Sequence, residues 1–340
     1  MTPWWHQLPA RFGVGRFADS QGQRFIGAVA ARGVRDITDM VTELDGANAT
    51  SMPSVIACFD RLLPMIDDAV AQGKGHWRQW EDLQPLSPLD PTVDVFSVLQ
   101  VGANYREHVI DLALAHTELA PGEELEEART RVAEMMDKRA AEGTPYVFVG
   151  LPAAITGPYT DVTIPSYGEK ADWELELVAV IGKPGFRIPR EAALDHVGAY
   201  TIGNDMTLRG EVFRQDMPAM GTDWFRAKNP PGFLPLGPWL VPAAYVGNPS
   251  SLRLRLALNG EVMQDASTED MLFDVARLVS EVSVVTQLRP GDIILTGSPA
   301  GNGMAHGRLL RHGDLMESTI TGLGMQRTRV IGPDDITTSI

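Results

Sequence analysis

Three carboxylates carry the clearest chemistry in this chain. The segment Asp172-Trp173-Glu174-Leu175-Glu176-Leu177-Val178-Ala179-Val180-Ile181-Gly182 alternates acidic with apolar residues and then turns fully apolar. That is the pattern of a strand entering a buried sheet. Residues two apart on a strand share a face, so Glu174 and Glu176 stand side by side, roughly 6–7 Å apart. Two like charges that close repel unless a cation sits between them. A hard divalent ion such as Mg²⁺ takes oxygen ligands and would remove the conflict. Taken alone, the pattern also fits a half-exposed strand with both Glu in solvent. Asp205 follows 29 residues after Glu176, where a strand-like run ends in a polar loop with Thr207 and Arg209. Asp is common in such turns, yet beside the two Glu it supplies a third oxygen ligand. Mg²⁺ held by few carboxylates keeps positions open for water or substrate.

His108 is the second candidate. A lone His at the opening of a helix is by default a surface residue. Asp111, three residues on and on the same helical face, makes a base-and-orienter pair physically reasonable. His116, His196, His306 and His312 lack such a pattern and read as structural or surface residues. Cys58 lies in the apolar run Val55-Ile56-Ala57-Cys58-Phe59, which suits a buried inert thiol.

The elements that must position these groups follow from pattern and punctuation. A chain of 340 residues can hold one large domain and a smaller one. Residues 1–90 alternate strand-like and helix-like pieces, with a helix over 54–72, and a proline-rich linker spans 83–91. After it come a strand at 95–102, a helix opening at 104–108 and a charged helical stretch over 121–143. Many short strands follow, with one helix predicted to start near Ser267, where Asp270 sits as a capping-box partner. The order is strand-rich, not an alternating βαβ series. Gly301-x-Gly303 and Gly322-x-Gly324 lack the third glycine of a dinucleotide fingerprint.

A net charge of −15 argues against a nucleic-acid partner and an anionic membrane surface. A single cysteine fits a reducing compartment. The N-terminal residues lack a signal-peptide pattern, and no run approaches the ~18 apolar residues of a membrane span. The expectation is a soluble, cytoplasmic protein.

From residue 98 to residue 330 the sequence resembles the fumarylacetoacetate hydrolase family. Six blocks match in order: Gly102-Ala103-Asn104-Tyr105-Arg106-Glu107-His108; residues 172–182; residues 200–209; Pro235-Leu236-Gly237-Pro238-Trp239-Leu240-Val241; Leu258-Asn259-Gly260-Glu261-Val262-Met263-Gln264-Asp265; and residues 290–301. His312-Gly313-Asp314 and Gly322-Leu323-Gly324 close the match. The resemblance implies a mixed α/β, β-rich catalytic domain of roll or sandwich type over 91–340, an insert or lid over 117–143, a small N-terminal α/β domain over 1–90, and a homodimer. It places metal ligands at Glu174, Glu176 and Asp205, the catalytic His at His108 with Asp111 as its orienter, and substrate contacts at Arg209, Lys228, Thr296 and Gly297. The implied cofactor is Mg²⁺, with Mn²⁺ or Ca²⁺ as substitutes, and the implied substrate is a small 2-oxo or diketo acid.

The chain departs from the family pattern at Gly150, often Lys, at Gly210, often Asp, at Val212, in several members Gln, and at Asp111, frequently Glu. The implied reaction is hydrolysis of a C–C bond in a 1,3-diketo acid of the acylpyruvate or fumarylacetoacetate type. The competing reading is decarboxylation, tautomerisation, isomerisation or hydration through the same enolate, which needs the same carboxylates. A ligand-binding protein on a retired enzyme fold would be expected to have lost the triad or the His.

Overall fold

The computed structural model describes residues 7–44, 46–116 and 124–332. The apolar run after Glu174 forms the central strand Leu175–Ile181, buried along its whole length. It pairs antiparallel with Val197–Asn204 on one side and Ile293–Leu295 on the other. Beyond Ile293–Leu295 lie Val98–Gly102, in parallel, and then Tyr146–Gly150. Beyond Val197–Asn204 comes Leu234–Pro242, and a Val14–Leu240 pairing carries the sheet into Gly13–Asp19 and the N-terminal strands. The result is a mixed sheet of 12 strands, accompanied by a five-stranded sheet ordered Glu261–Ser267, Arg253–Leu258, Leu315–Ile320, Gly324–Ile331, Val162–Thr163.

Apart from Glu176, the central strand is apolar because both of its faces are covered. Leu175, Leu177 and Ala179 join a core with Leu254, Leu256, Met316 and Ile320 of the second sheet. Val178 and Val180 point the other way, into a core with Phe12, Val14, Ile56, Leu62 and Ile66. The β-rich, mixed α/β expectation holds.

Three local readings change. The segment predicted as a linker contains the strand Leu83–Leu86, paired along the edge of Gly13–Asp19, where Pro85 can sit opposite Phe17. The helix predicted over 54–72 is two helices, Met52–Ala57 and Phe59–Gln72, broken at Cys58, which is buried. The helix predicted from Ser267 begins at Val275, because Asp274 caps it by accepting the Arg277 N–H at 2.8 Å. Ser267 ends a strand and Thr268–Asp270 make only a short 3₁₀ turn, and the N–H groups of Leu272 and Phe273 donate to Asn104, holding that segment extended. The charged helix is Leu125–Glu142, opened by a Glu124–Glu127 capping box. Its stripe of Val132 and Met136 packs on Ile110; residues 117–123 of the expected insert lie outside the described residues. Among the described residues no helix is long and apolar enough to cross a membrane.

Candidate metal centre and active site

Strand pairing builds the carboxylate cluster. Leu175 pairs with Asn204, so Glu174, just before the central strand, meets Asp205, just after its neighbour. The Asn204 side chain accepts the Glu174 N–H at 2.9 Å, and the Asp205 N–H donates to the Glu174 carbonyl at 2.8 Å. One carboxylate oxygen from each of Glu174, Glu176 and Asp205 falls within 4.8 Å of the others. Glu176 and Asp205 are buried and Glu174 partly so. The spacing argument that placed two Glu on one face is therefore realised, with Asp205 brought in by the adjacent strand.

The surrounding donors are specific. Gly297 N–H donates to Glu176 Oε2 at 2.7 Å. Lys228 Nζ donates to Glu174 Oε2 at 2.7 Å, to Thr207 Oγ1 at 2.9 Å and to Asp205 Oδ2. Arg209 donates to Glu174 Oε1 at 2.6 Å and to Asp172 Oδ2 at 2.8 Å. Burial alone would raise the Glu174 carboxyl, but Lys228 and Arg209 hold it down at about 2. Burial and the charges of Asp205 and Glu174 push Glu176 well above the usual carboxylate range. Burial likewise lifts Asp205, to about 6, against the pull of Lys228. Three hard oxygen ligands within one ion's reach, two of them destabilised as anions by burial and mutual repulsion, fit a divalent cation.

Protons and the cation compete for these oxygens. Divalent-cation affinity is therefore expected to fall as pH drops through the raised range of Glu176 and of Asp205, the latter at about 6. Calorimetric titration of Mg²⁺ at several pH values checks this, and an affinity that is flat down to pH values well below 6 would contradict it.

The remaining expected site residues converge on the cluster, with roles that differ from simple substrate contacts. Arg209 and Lys228, expected at the substrate's charged end, also spend donors on the protein's own carboxylates. The Thr296 hydroxyl, expected to face substrate, donates to the Leu177 carbonyl at 2.9 Å on a fully buried side chain. The Gly297 turn, at φ 94°, presents its N–H to Glu176 rather than outward. Thr296 and Gly297 thus form the floor that fixes the central strand and its ligand.

His108 sits half-buried on the helix Arg106–His116, within electrostatic reach of Glu174, Arg209 and Asp172. Desolvation holds its pKa below the ordinary 6.5, with Arg209 adding to the effect and Glu174 and Asp111 opposing it. Asp111 does not orient it by a hydrogen bond. Its carboxylate is exposed and accepts Arg129 Nη1 at 2.9 Å, while the same guanidinium also reaches Glu107. Arg106 grips Asp137 through two bonds of 2.7 and 3.0 Å. These pairs clamp the charged helix onto the His108 helix. Asp111→Asn is accordingly expected to change kcat by less than about threefold, the scale of a surface ion pair. A loss as large as that of removing His108 would restore the orienter role.

Gln100, Asn104 and Asp172 escaped the sequence reading. Gln100 Nε2 donates to Asp205 Oδ1. Asn104 joins three segments, donating to the Thr296 and Phe273 carbonyls and accepting the Phe273 N–H. Asp172 gathers Arg209 with the N–H groups of Trp173, Gly303 and Met304. The available signal was a polar residue inside a buried pattern, since such groups are almost always partnered.

With this fold and cluster in place, the class is clear. Residues 97–331 match the family model described as fumarylacetoacetate (FAA) hydrolase, C-terminal. The chain belongs to that enzyme family. It is 31% identical over 315 residues to a 2,4-didehydro-3-deoxy-L-rhamnonate hydrolase of Sphingomonas sp. (strain SKA58), covering 91% of this chain and 93% of that protein. It is 37% identical over 189 residues to a mitochondrial oxaloacetate tautomerase of Bos taurus, covering 55% of this chain and 59% of the relative. Among solved structures, the fumarylacetoacetate hydrolase of Exiguobacterium antarcticum superposes with a TM-score of 0.69 at 27% identity, over 94% of this chain and 99% of that one.

Proposed function

We infer that this protein is a Mg²⁺-dependent hydrolase that splits a C–C bond in a 1,3-diketo acid of the acylpyruvate type. The observation that carries the reading is the convergence of Glu174, Glu176 and Asp205 with two fixed cations, Arg209 and Lys228, beside a half-buried, readily neutral His108. The relative named for hydrolysing a 2,4-didehydro-3-deoxy acid supports it over nearly the full chain. The three carboxylates would hold Mg²⁺, for which Mn²⁺ or Ca²⁺ can stand in. A bound divalent ion supplies Lewis acidity at the 2-oxo end of the substrate.

The chain's own groups do the rest. Arg209 and Lys228 attract the substrate carboxylate, and Thr296 and Gly297 keep Glu176 and its strand fixed beneath it. His108, neutral at pH 7, accepts a proton from water as the water oxygen adds to the distal carbonyl carbon. The bond from that carbon to the neighbouring methylene breaks, and its electron pair stays on the methylene as the enolate of pyruvate. His108 returns its proton to the methylene carbon, which gives pyruvate, and the acyl fragment leaves as a carboxylic acid. Asp111 adds negative potential near His108 while Arg129 holds its Oδ1.

In this reading residues 1–90 form a small domain beside the catalytic domain 91–340. The protein is cytoplasmic, works as a homodimer, and meets a small acid rather than nucleic acid or membrane. Incubation with acylpyruvates, oxaloacetate and sugar-derived diketo acids, with and without Mg²⁺, tests the function. Mg²⁺-dependent release of pyruvate from at least one diketo acid is expected. The oxaloacetate tautomerase relative favours a second reading, enolisation without water attack. Oxaloacetate keto–enol exchange with no hydrolysis of any diketo acid would decide for it.

Arg209→Ala and Lys228→Ala extend the test. Each removes a charge-assisted contact worth about 1.5–3 kcal/mol, so KM for the acid is expected to rise roughly 10-fold or more. Because both side chains also bond Glu174, the Mg²⁺ dissociation constant should shift as well. Steady-state kinetics at saturating Mg²⁺, with a parallel metal titration, separate the two effects. Wild-type values in both assays for both variants would remove these residues from the site.

A further inference from the structure

We propose that Gln100 is a positioning residue of the cation site, and that the absence of a side chain at Gly150 is what lets it serve. The inference rests on the reading of Glu174, Glu176 and Asp205 as cation ligands. Gln100 lies on the strand Val98–Gly102, which meets Tyr146–Gly150 in the register Val98–Gly150 and Gln100–Phe148. Gln100 is 2% exposed. Nε2 donates to Asp205 Oδ1, while Lys228 takes Asp205 Oδ2, so both oxygens of that carboxylate are tethered and its rotation is fixed.

The other end of the amide shows that this placement is not incidental. Gln100 Oε1 is buried without a hydrogen-bond partner. A buried polar atom left unpaired is costly, so the rotamer must be held by something else. Turning the amide over would set Oε1 against the Asp205 carboxylate, which is worse. Gly150 supplies the room: a Cβ there would come within 2.4 Å of Gln100 Oε1 and 2.9 Å of Val98 Cγ1. The Gln100 head is a flexible side-chain end, so the fold could absorb an alanine at 150. The amide would then have to swing away, and Asp205 would lose its tether.

Hydrogen bonds that orient a metal ligand typically govern about 10–100-fold in affinity. The test titrates Mg²⁺ and Mn²⁺ calorimetrically into metal-stripped wild type, Gln100→Met, Gly150→Ala, the double variant and Glu176→Gln, with the thermal midpoint of each metal-free protein measured alongside. Gln100→Met is expected to weaken both ions about 10–100-fold; its metal-free midpoint gains from loss of the unpaired oxygen and loses from the donor taken from Asp205, so the affinity is the deciding readout. Gly150→Ala should weaken them in the same direction although residue 150 does not touch Asp205, and the double variant should be no worse than Gln100→Met. Wild-type affinity in Gln100→Met and Gly150→Ala overturns the proposal while loss of binding in Glu176→Gln keeps the cation reading. A merely structural role would instead lower the midpoints and leave the affinities intact. No binding by wild type at millimolar metal overturns the cation reading and the proposal with it.

Discussion

Glu176→Gln is expected to reduce divalent-cation affinity by more than about 100-fold, beyond what loss of an orienting contact costs, and to bring catalysis to background. Glu176 is the deepest of the three carboxylates, 1% exposed, and its anion is opposed by burial and by Asp205 and Glu174. The amide keeps its size and can still accept the Gly297 N–H through its carbonyl oxygen. It removes a charged ligand and, in the same step, the repulsion that a cation would relieve. The metal-free variant should therefore fold and melt no lower than wild type. That combination, a lost cation in an equally stable protein, distinguishes a ligand from a structural carboxylate. Calorimetry and a thermal melt measure both halves. Unchanged Mg²⁺ binding would remove Glu176 from the ligand set.

His108→Ala should lower kcat by roughly 10²–10⁴, as expected when a general base is lost, with cation affinity retained. His108 makes no hydrogen bond to the triad, so the two functions separate cleanly in this variant. The sign of its pKa shift gives a second check. Burial and Arg209 hold the ring below 6.5, so the base form persists into mildly acidic solution and is lost only as pH falls through that lowered value. A cation bound nearby pushes in the same direction. The acid limb of kcat at saturating Mg²⁺ should lie below 6.5 in wild type and disappear in His108→Ala. Near-wild-type hydrolysis by the variant would show that water is activated without it.

Much of the site could be read before folding because its chemistry is local. Glu174 and Glu176 are two apart on one strand that runs into an apolar stretch from Leu177, which puts both on one face; that they are buried rather than in solvent came from the second sheet and the neighbouring strands. Asp205 was visible as the exit of the next strand. Other features depend on partners distant in sequence. Asp111 has helical spacing to His108, but Arg129, 18 residues on, takes its carboxylate. Ser267 and Asp270 look like a helix start, yet Asp274 is the cap, because Asn104 holds the intervening backbone extended. Lys228 is 54 residues from Glu174 and 23 from Asp205, and no periodicity predicts that its ammonium lies between them. The proline-rich stretch gave turn signals that were correct for composition, but an edge position lets Leu83–Leu86 pair all the same.

The most direct measurement is a crystal structure of the protein grown with Mn²⁺ and a 2-oxo acid, using the anomalous signal of the ion. The account predicts one Mn²⁺ within about 2.0–2.3 Å of oxygens from Glu174, Glu176 and Asp205, with the acid's 2-oxo and carboxylate oxygens completing its ligands and His108 facing the acid. An anomalous peak elsewhere, or three carboxylates without an ion at millimolar Mn²⁺, would contradict it.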